Sequence, residues 1–185
     1  TYPPADQEWM RYGMDKCTII GGGETITSSS QLRIECPFFE EETRIVGTPT
    51  FHVDATVSAF STSGHLFVEM IQASNEMHLG HAVMDLRFHA GGKDGEILTP
   101  GETVNAKMEF FGMDVLIPAG DGIHLIITQT GEDYIPSPVS TQPVTLGLTA
   151  SSILSLSTVD RSCDDLFMPP MMTEQYPQCM SIQEL

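Results

Sequence analysis

Residues 51–59 read FHVDATVSA, and in this stretch every odd-numbered position is apolar and every even-numbered position is polar. A period of two residues places all the apolar side chains on one face of an extended strand. The same alternation recurs at residues 104–110, 123–127 and 144–148, where Ile126 alone falls on the opposite face from its apolar neighbours. These segments predict strands that each turn one face towards a common core.

Two further runs, residues 65–73 and 79–88, are more continuously apolar, which is typical of central strands covered on both faces. Clusters of Gly, Pro, Asn and Asp separate the runs, and helical periodicity is nearly absent. This pattern predicts an all-β fold, an antiparallel β-sandwich, over residues 46–159. Residues 1–45 are then an N-terminal extension with two predicted strands, at 17–20 and 32–36, and residues 160–185 are a C-terminal tail.

The charge balance excludes several classes of partner. The chain has 185 residues, with 8 Lys and Arg against 25 Asp and Glu, for a net charge of −17. Such a surface repels phosphate backbones and anionic lipids, so we expect no nucleic-acid partner and no polybasic membrane anchor. No apolar run approaches the roughly 18 residues of a membrane span. The acidity fits an extracellular or high-salt setting, and we expect the chain to be extracellular or at the cell surface. A chain that begins at Thr1 rather than Met favours a processed product or an excised piece.

The four cysteines are candidates for disulfides rather than metal ligands. Cys17, Cys36, Cys163 and Cys179 form no Cys-x-x-Cys pair, which argues against a zinc ribbon or a redox dithiol. Four cysteines allow three connectivities, and the sequence does not choose among them. In an oxidising compartment, Cys17–Cys36 would join the two N-terminal strands and Cys163–Cys179 would close the tail.

The histidines do not predict a metal site. His78 and His81 are three residues apart, and on a regular strand they would point to opposite faces. His81, Asp85 and Arg87 share one strand face, with His89 next along it, which is typical of a solvated polar face. We expect no cofactor. Calcium is the one cation that the oxygen-rich turns at residues 93–96 and 120–122 would suit, and neither turn matches an EF-hand loop.

Three segments carry a family resemblance: residues 46–53 (VGTPTFHV), residues 63–70 (SGHLFVEM), and residues 98–102 (LTPGE) followed by 117–125 (IPAGDGIHL). In this order and spacing they resemble the C-terminal β-sandwich domain of the X-prolyl dipeptidyl peptidase and cocaine-esterase family of serine hydrolases. The resemblance implies a jelly-roll sandwich, often grouped with galactose-binding-like domains, that packs against an α/β-hydrolase domain. One departure is visible, because the family commonly has His-Arg where this chain has Asp121-Gly122.

Catalysis by this chain alone is not expected. An α/β-hydrolase nucleophile needs a Gly-x-Ser-x-Gly elbow, and the sequence contains none. The resemblance places the family's triad His and Asp upstream of this domain, so no catalytic residue is carried over.

The ends of the chain predict contacts between subunits. A sandwich has unpaired edge strands, and this chain has only three lysines with which to guard them. We therefore expect a non-catalytic subunit that associates with itself, in an extracellular assembly or filament, through aromatic and methionine side chains of its ends. The alternatives are an accessory domain whose partner is a hydrolase catalytic domain, and a carbohydrate- or calcium-binding module. The candidate subunit contacts are Tyr2, Trp9, Tyr12, Met168, Met171, Met172 and Tyr176.

Overall fold

The chain folds almost entirely into β-strands. The computed structural model describes residues 7–13, 16–20, 24–27, 30–58, 64–129, 131, 143–148 and 152–159. Its strands are β1 (Gln7–Gly13), β2 (Thr18–Ile20), β3 (Thr25–Ile26), β4 (Leu32–Glu35), β5 (Thr43–Gly47), β6 (Thr50–Val57), β7 (His65–Gln72), β8 (His78–Asp85), β9 (Thr103–Glu109), β10 (Met113–Ile117), β11 (Ile123–Thr128), β12 (Val144–Gly147) and β13 (Ile153–Val159). A 3-10 turn, Leu86–Phe88, follows β8. No helix in these ranges is long and apolar enough to cross a membrane.

The strands form two antiparallel sheets. The larger sheet has the order β10-β5-β13-β6-β12-β3, with β1 added to β13 and β9 added to β6. The smaller sheet has the order β2-β4-β11-β7-β8. The chain passes repeatedly between the sheets, which gives an antiparallel β-sandwich of jelly-roll type. The predicted all-β fold is therefore confirmed.

Alternating side chains build the core between the sheets. The odd-numbered residues of β6 from Phe51 to Val57 are buried, whereas the even-numbered ones are partly exposed. In the smaller sheet Ile123 and Leu125 enter the same core, and Ile126 lies on the outer face as its phase predicts. Burying a side chain such as Phe51 stabilises the fold by about 2–3 kcal/mol, so the stripes read from the sequence supply the main driving force for folding.

The N-terminal region contributes to both sheets. The two predicted strands at 17–20 and 32–36 are β2 and β4, which pair with each other in the smaller sheet. The predicted Cys17–Cys36 disulfide is confirmed, and it joins the start of β2 to the end of β4. Strands β1 and β3 were not predicted, and they extend the larger sheet beyond β13 and β12. The division of the chain at residue 46 stays a prediction, and Cys163 and Cys179 lie outside the described residues.

The prediction that residues 79–88 form a central strand was wrong. Within the described part of the chain, β8 pairs only with β7, so it is an edge strand of the smaller sheet. Leu79 and Ala82 face the core, but Val83 on the outer face is 44% exposed. The apolar run continues past the strand because Leu86 and Phe88 belong to the 3-10 turn. The apolar residues between 79 and 88 therefore do not all belong to one buried strand: some face the core, and others lie on the exposed surface.

Candidate functional site

The outer face of the smaller sheet carries an exposed apolar surface beside its edge strand. We call it the aromatic patch and define it by Phe67 of β7, His78, His81 and Val83 of β8, and Phe111 of the β9–β10 connection. Phe111 is 64% exposed, although its neighbour Phe110 is buried in the core. Val83 lies opposite Phe67 in the β7–β8 register.

The rings of the aromatic patch contact one another around His81. The imidazole of His81 stacks on Phe67 at a centroid distance of 5.5 Å and meets Phe111 edge-on at 5.1 Å. The His78 ring lies 5.5 Å from that of His81, and His78 Nε2 is 3.8 Å from Glu69 Oε1. Stacked and edge-to-face rings at these distances attract each other, so the patch is organised before anything binds to it.

Two glycines let other parts of the chain approach the patch closely. A Cβ at Gly131 would lie 2.6 Å from a ring carbon of Phe67, so the backbone there rests directly on the ring. A Cβ at Gly80 would lie 2.8 Å from the Met113 side chain, which belongs to the larger sheet. Strand β8 can thus lie against β10, and Phe111, in the connection that precedes β10, contacts His81 of β8.

His78 and His81 were expected on opposite faces, and that expectation was wrong. The β7–β8 register shifts between Met70 and Ile71, where Met70 pairs with Gly80 but Ile71 pairs with His78. The extra residue, Leu79, forms a β-bulge, and a bulge changes the phase of the side chains that follow it. Both imidazoles therefore reach the same surface.

The structure supports no metal centre at these histidines. Among the residues that it describes, no group of three or more His, Cys, Asp or Glu side chains is placed to hold a metal ion. The carboxylate of Asp85 instead accepts hydrogen bonds from the Arg87 guanidinium, with Arg87 Nη2 at 2.5 Å and Nε at 3.0 Å from Oδ2. Burial would raise the pKa of Asp85, but the hydrogen bonds and charge of Arg87, with the charge of His65, hold it below its ordinary value. His89 Nδ1 lies 3.0 Å from the Leu86 carbonyl oxygen, which holds it to the 3-10 turn.

A polar cluster around Arg33 of β4 and His124 of β11 lies on the outer face of the smaller sheet, away from the edge strand β8. The Arg33 guanidinium donates to Glu35 Oε1 at 3.1 Å and to Glu76 Oε1 at 3.0 Å. Its Nη2 donates to Nδ1 of the buried His124 at 2.7 Å, which leaves the imidazole proton on Nε2. Burial and then the positive charge of Arg33 lower the pKa of His124, so this ring stays neutral near pH 7.

Asp121, the residue that departs from the family motif, is buried in a hydrogen-bond network. Its Oδ2 accepts from Gln72 Nε2 at 2.7 Å and from Ser74 Oγ at 2.6 Å. Its Oδ1 accepts from the backbone N–H groups of Ser74 at 3.0 Å and Gly122 at 2.8 Å. Burial would raise the pKa of Asp121, but these four hydrogen bonds outweigh it and hold the pKa below 3.8. Both carboxylate oxygens of Asp121 thus already accept hydrogen bonds from protein donors. They are therefore poorly suited to bind the calcium ion considered for residues 120–122.

These polar groups are not arranged for nucleophilic catalysis. A serine nucleophile needs its hydroxyl hydrogen-bonded to a basic imidazole. The Ser74 hydroxyl instead donates to the Asp121 carboxylate, and Nδ1 of His124 accepts from Arg33. The clusters fix the β7–β8 turn to the loop before β11, which is a structural role.

The predicted subunit contacts fall mostly outside the described residues. Tyr2, Met168, Met171, Met172 and Tyr176 all lie there. Trp9 lies in β1 and is 54% exposed, and Tyr12 lies in the same strand although its side chain is not described. The aromatic patch was missed, but Phe110-Phe111 carried a signal. Phe110 completes the buried stripe of residues 104–110, so Phe111 falls out of phase and must face outwards.

The comparisons with known proteins agree with this fold. Residues 5–163 match the X-Pro dipeptidyl-peptidase C-terminal non-catalytic domain. The chain is 35% identical over 68 residues to the "Putative Xaa-Pro dipeptidyl-peptidase" of Streptomyces avermitilis, a match that covers 37% of this chain and 10% of that protein.

Two solved structures share the architecture at low identity. A CocE/NonD family hydrolase from Staphylococcus aureus superimposes with a TM-score of 0.65 and 11% identity, over 86% of this chain and 38% of the hydrolase. An α-amino acid ester hydrolase superimposes with a TM-score of 0.58 and 12% identity, over 87% of this chain and 33% of that enzyme. The chain thus spans about a third of these structures and a tenth of the curated relative. Because the match to the domain covers most of its length, this chain belongs to the X-Pro dipeptidyl-peptidase C-terminal non-catalytic domain family.

Proposed function

We propose that this chain is the accessory domain of an extracellular serine hydrolase of the X-prolyl dipeptidyl peptidase or esterase type. In this role it holds a catalytic α/β-hydrolase domain against the outer face of its smaller sheet. The chain itself carries out no hydrolysis. Its contribution is a rigid surface that packs beside the substrate pocket of the catalytic domain.

The observation that carries this proposal is the aromatic patch. Along β6 and β9 the outer face of the larger sheet is polar, with Thr56 Oγ1 2.6 Å from Thr103 Oγ1 and Asn105 donating to Asp54 at 3.0 Å, although Trp9 of β1 in the same sheet is also exposed. The outer face of the smaller sheet instead exposes Phe111 and Val83 beside stacked rings. Contiguous exposed apolar surface marks an interaction site, so the two faces differ in what they are suited to contact.

The size of the related enzymes supports a catalytic domain as the partner that contacts the aromatic patch. This chain accounts for 38% and 33% of the two hydrolase structures, and most of each enzyme lies outside the matched domain. Hydrolysis by this chain alone is disfavoured because the sequence lacks a nucleophile elbow. The hydrogen-bond partners of Ser74 and His124 also leave neither group free for catalysis.

An extracellular location is supported by the disulfide. Disulfides persist in oxidising compartments and are rare in the cytosol. The Cys17–Cys36 bridge and the net charge of −17 both fit a secreted or cell-surface enzyme.

The test uses the complete polypeptide that the source organism's gene encodes, or the serine hydrolase that binds this chain if the two are separate. Phe111→Asp places a charge within the aromatic patch without altering the core, because Phe111 is exposed. We expect this variant to weaken the contact with the catalytic domain and to lower kcat/KM for X-Pro or ester substrates. The assays are binding, thermal unfolding of the catalytic domain, and turnover.

Ile97→Asp is the matched control, because Ile97 is 83% exposed on a loop and lies outside the patch. It introduces the same charge on a side chain of similar apolar character. If Phe111→Asp and Ile97→Asp behave alike, or if no hydrolase is encoded with or bound by the chain, the proposed docking face is wrong.

A further inference from the structure

The chain contains two Asp-Gly pairs, Asp94-Gly95 and Asp121-Gly122. In such a pair the main-chain nitrogen of glycine can attack the side-chain carboxyl carbon of the preceding aspartate, because glycine has no Cβ to hinder the approach. The reaction requires that the aspartate side chain and the glycine nitrogen can move towards each other, so the fold determines which pair reacts. The two pairs of this chain lie in opposite environments.

The reaction has two steps that together require only water. In the first step a bond forms between the glycine nitrogen and the aspartate Cγ. The nitrogen loses its proton and Cγ loses its hydroxyl group, which together leave as one water molecule, and a five-membered succinimide remains. In the second step water opens the ring. Attack at the main-chain carbonyl carbon breaks its bond to the glycine nitrogen, so the main chain then runs through Cγ and the residue is isoaspartate.

The pair Asp121-Gly122 is held in a geometry that opposes this reaction. The Gly122 N–H donates to Asp121 Oδ1 at 2.8 Å, and three further hydrogen bonds hold the carboxylate in place. Burial would raise the pKa of Asp121, but these bonds lower it, so the neutral carboxyl group that can release its hydroxyl is scarce near pH 7. A Cβ at Gly122 would lie 2.8 Å from the Phe38 ring, so this backbone has little room to move.

The pair Asp94-Gly95 lies in an open loop, in the turn considered above for calcium. Every residue from 91 to 97 is exposed. Gly91 and Gly92 have φ angles of 81° and 90°, and a Cβ at either position would meet nothing within 4 Å. Among the residues that the structure describes, no group hydrogen-bonds to the Asp94 carboxylate or to the Gly95 N–H. The two reacting groups can therefore approach each other.

Close packing explains why glycine occupies position 95. A Cβ there would lie 3.1 Å from Cζ of Phe88 and 3.3 Å from Cβ of Arg87. The next residue, Glu96, donates its N–H to the Arg87 carbonyl oxygen at 2.8 Å, which ties this end of the loop to the 3-10 turn. A larger residue at position 95 would disturb this contact. The packing thus favours the residue type that leaves Asp94 reactive.

We propose that Asp94 isomerises to isoaspartate through a succinimide with Gly95, and that the product is a substrate for a carboxyl methyltransferase that acts on isoaspartate. Such an enzyme transfers a methyl group from S-adenosylmethionine to the carboxylate that isomerisation releases from the main chain, and the exposed loop leaves this group accessible. The main chain gains one methylene, which Gly91 and Gly92 can accommodate without a change in the core. This inference does not depend on the proposed function, because the aromatic patch takes no part in it.

The test is incubation of the complete chain over several weeks near neutral pH and at physiological temperature, in water enriched in heavy oxygen. Isoaspartate is measured by methyl transfer from labelled S-adenosylmethionine with an isoaspartyl methyltransferase, and peptide mass spectrometry locates it. We expect it to accumulate at residue 94 several-fold faster than at residue 121, with one heavy oxygen atom in each product. In urea the fold no longer protects Asp121, so the two rates should become similar.

Two variants at the exposed position test the chemical route. Asp94→Glu lengthens the side chain by one methylene, so the five-membered ring cannot form and methyl transfer to this peptide should be lost. Asp94→Asn forms the same succinimide with loss of ammonia instead of water, and it should accumulate isoaspartate several-fold faster than the unmodified chain. Circular dichroism verifies that both variants are folded.

Equal rates of isoaspartate formation at residues 94 and 121 in the folded chain would overturn the proposal. It is also overturned if residue 94 forms isoaspartate in urea but not in the folded chain, or if the Asp94→Glu variant still accepts the methyl group in the same peptide.

Discussion

Replacing Asp121 by Ala should destabilise the sandwich more than any other single loss of an acidic side chain in the described ranges. The carboxylate accepts four hydrogen bonds, two from backbone N–H groups and two from Gln72 and Ser74. Asp121 is 8% exposed and Gln72 is also buried, so water cannot replace all of the lost acceptors. The substitution would free the β7–β8 turn from the loop that precedes β11.

The magnitude follows from the four bonds. A hydrogen bond to a charged group contributes more than the roughly 1 kcal/mol of a neutral one, and a buried donor left without an acceptor adds a further cost. Solvent can compensate for part of the loss at the exposed Ser74, so we expect about 3 kcal/mol in total. For a chain of this size that corresponds to a decrease in Tm of about 6–12 °C. Asp121→Asn keeps one acceptor oxygen and should lose about half as much.

The effect of Asp121 should depend on pH. Its folded pKa lies below its unfolded value of 3.8, so the ionised carboxylate stabilises the fold fully above the unfolded pKa. That stabilisation is lost as the pH falls through the folded pKa. The Tm difference between the unmodified chain and Asp121→Ala should therefore be constant between about pH 5 and 8 and shrink below about pH 4.

Thermal unfolding by circular dichroism measures both effects. Asp94→Asn is the control, because it removes one negative charge from an exposed loop. A Tm for Asp121→Ala within about 2 °C of the control at pH 7 would refute the reasoning. A Tm difference that grows as the pH falls would do the same.

Three further predictions concern other parts of the sandwich. Replacing both Cys17 and Cys36 by Ser removes a bridge between residues 19 apart and should cost about 3 kcal/mol, and dithiothreitol should lower the Tm of the unmodified chain by more than that of this variant, which keeps Cys163 and Cys179. Gly64→Ala should cost about 1–3 kcal/mol in urea unfolding, because its Cβ would lie 2.6 Å from a buried valine methyl group. Arg33→Met should raise the pKa of His124 in an NMR titration, because the positive charge of Arg33 is removed while the charges of Glu35, Asp121 and Glu76 that raise this pKa remain; an unchanged pKa would contradict the assigned contact.

Regular alternation made most of the sandwich predictable. In β6 and β9 the apolar and polar positions strictly alternate, and the buried residues are those that the alternation selects. The phase of Ile126 was predicted correctly for the same reason. The side-chain period alone determines which face of such a strand is buried, and no knowledge of neighbouring strands is needed.

Where the period is interrupted, the sequence was not sufficient. The β-bulge at Leu79 reverses the phase of β8 locally, and the adjacent Gly80, a residue type often found at a bulge, was not interpreted as its marker. The position of β8 at the edge depends on the pairing order of five strands, which is a property of the whole sheet. Strand β1 was missed because QEWMRYG does not alternate.

The Asp121 network also required the fold. The motif comparison identified residue 121 as unusual, but a turn of Gly, Asp and Gly is equally compatible with an exposed loop. Its partners Gln72 and Ser74 lie about 50 residues earlier in the chain, with sequence separations of 49 and 47. Contacts between such distant residues arise from strand pairing between β7 and β11.

The accessibility of Phe111 tests the proposed function most directly. Phe111→Cys introduces a thiol into the aromatic patch, and Ile97→Cys introduces one on an exposed loop outside it, with the unmodified chain as the background for its own cysteines. In the isolated chain both introduced thiols should react with a maleimide at similar rates. In the complete hydrolase, reaction at residue 111 should be several-fold slower while reaction at residue 97 is unchanged. Equal rates at residue 111 in the isolated chain and in the complete hydrolase would contradict docking of the catalytic domain on this face.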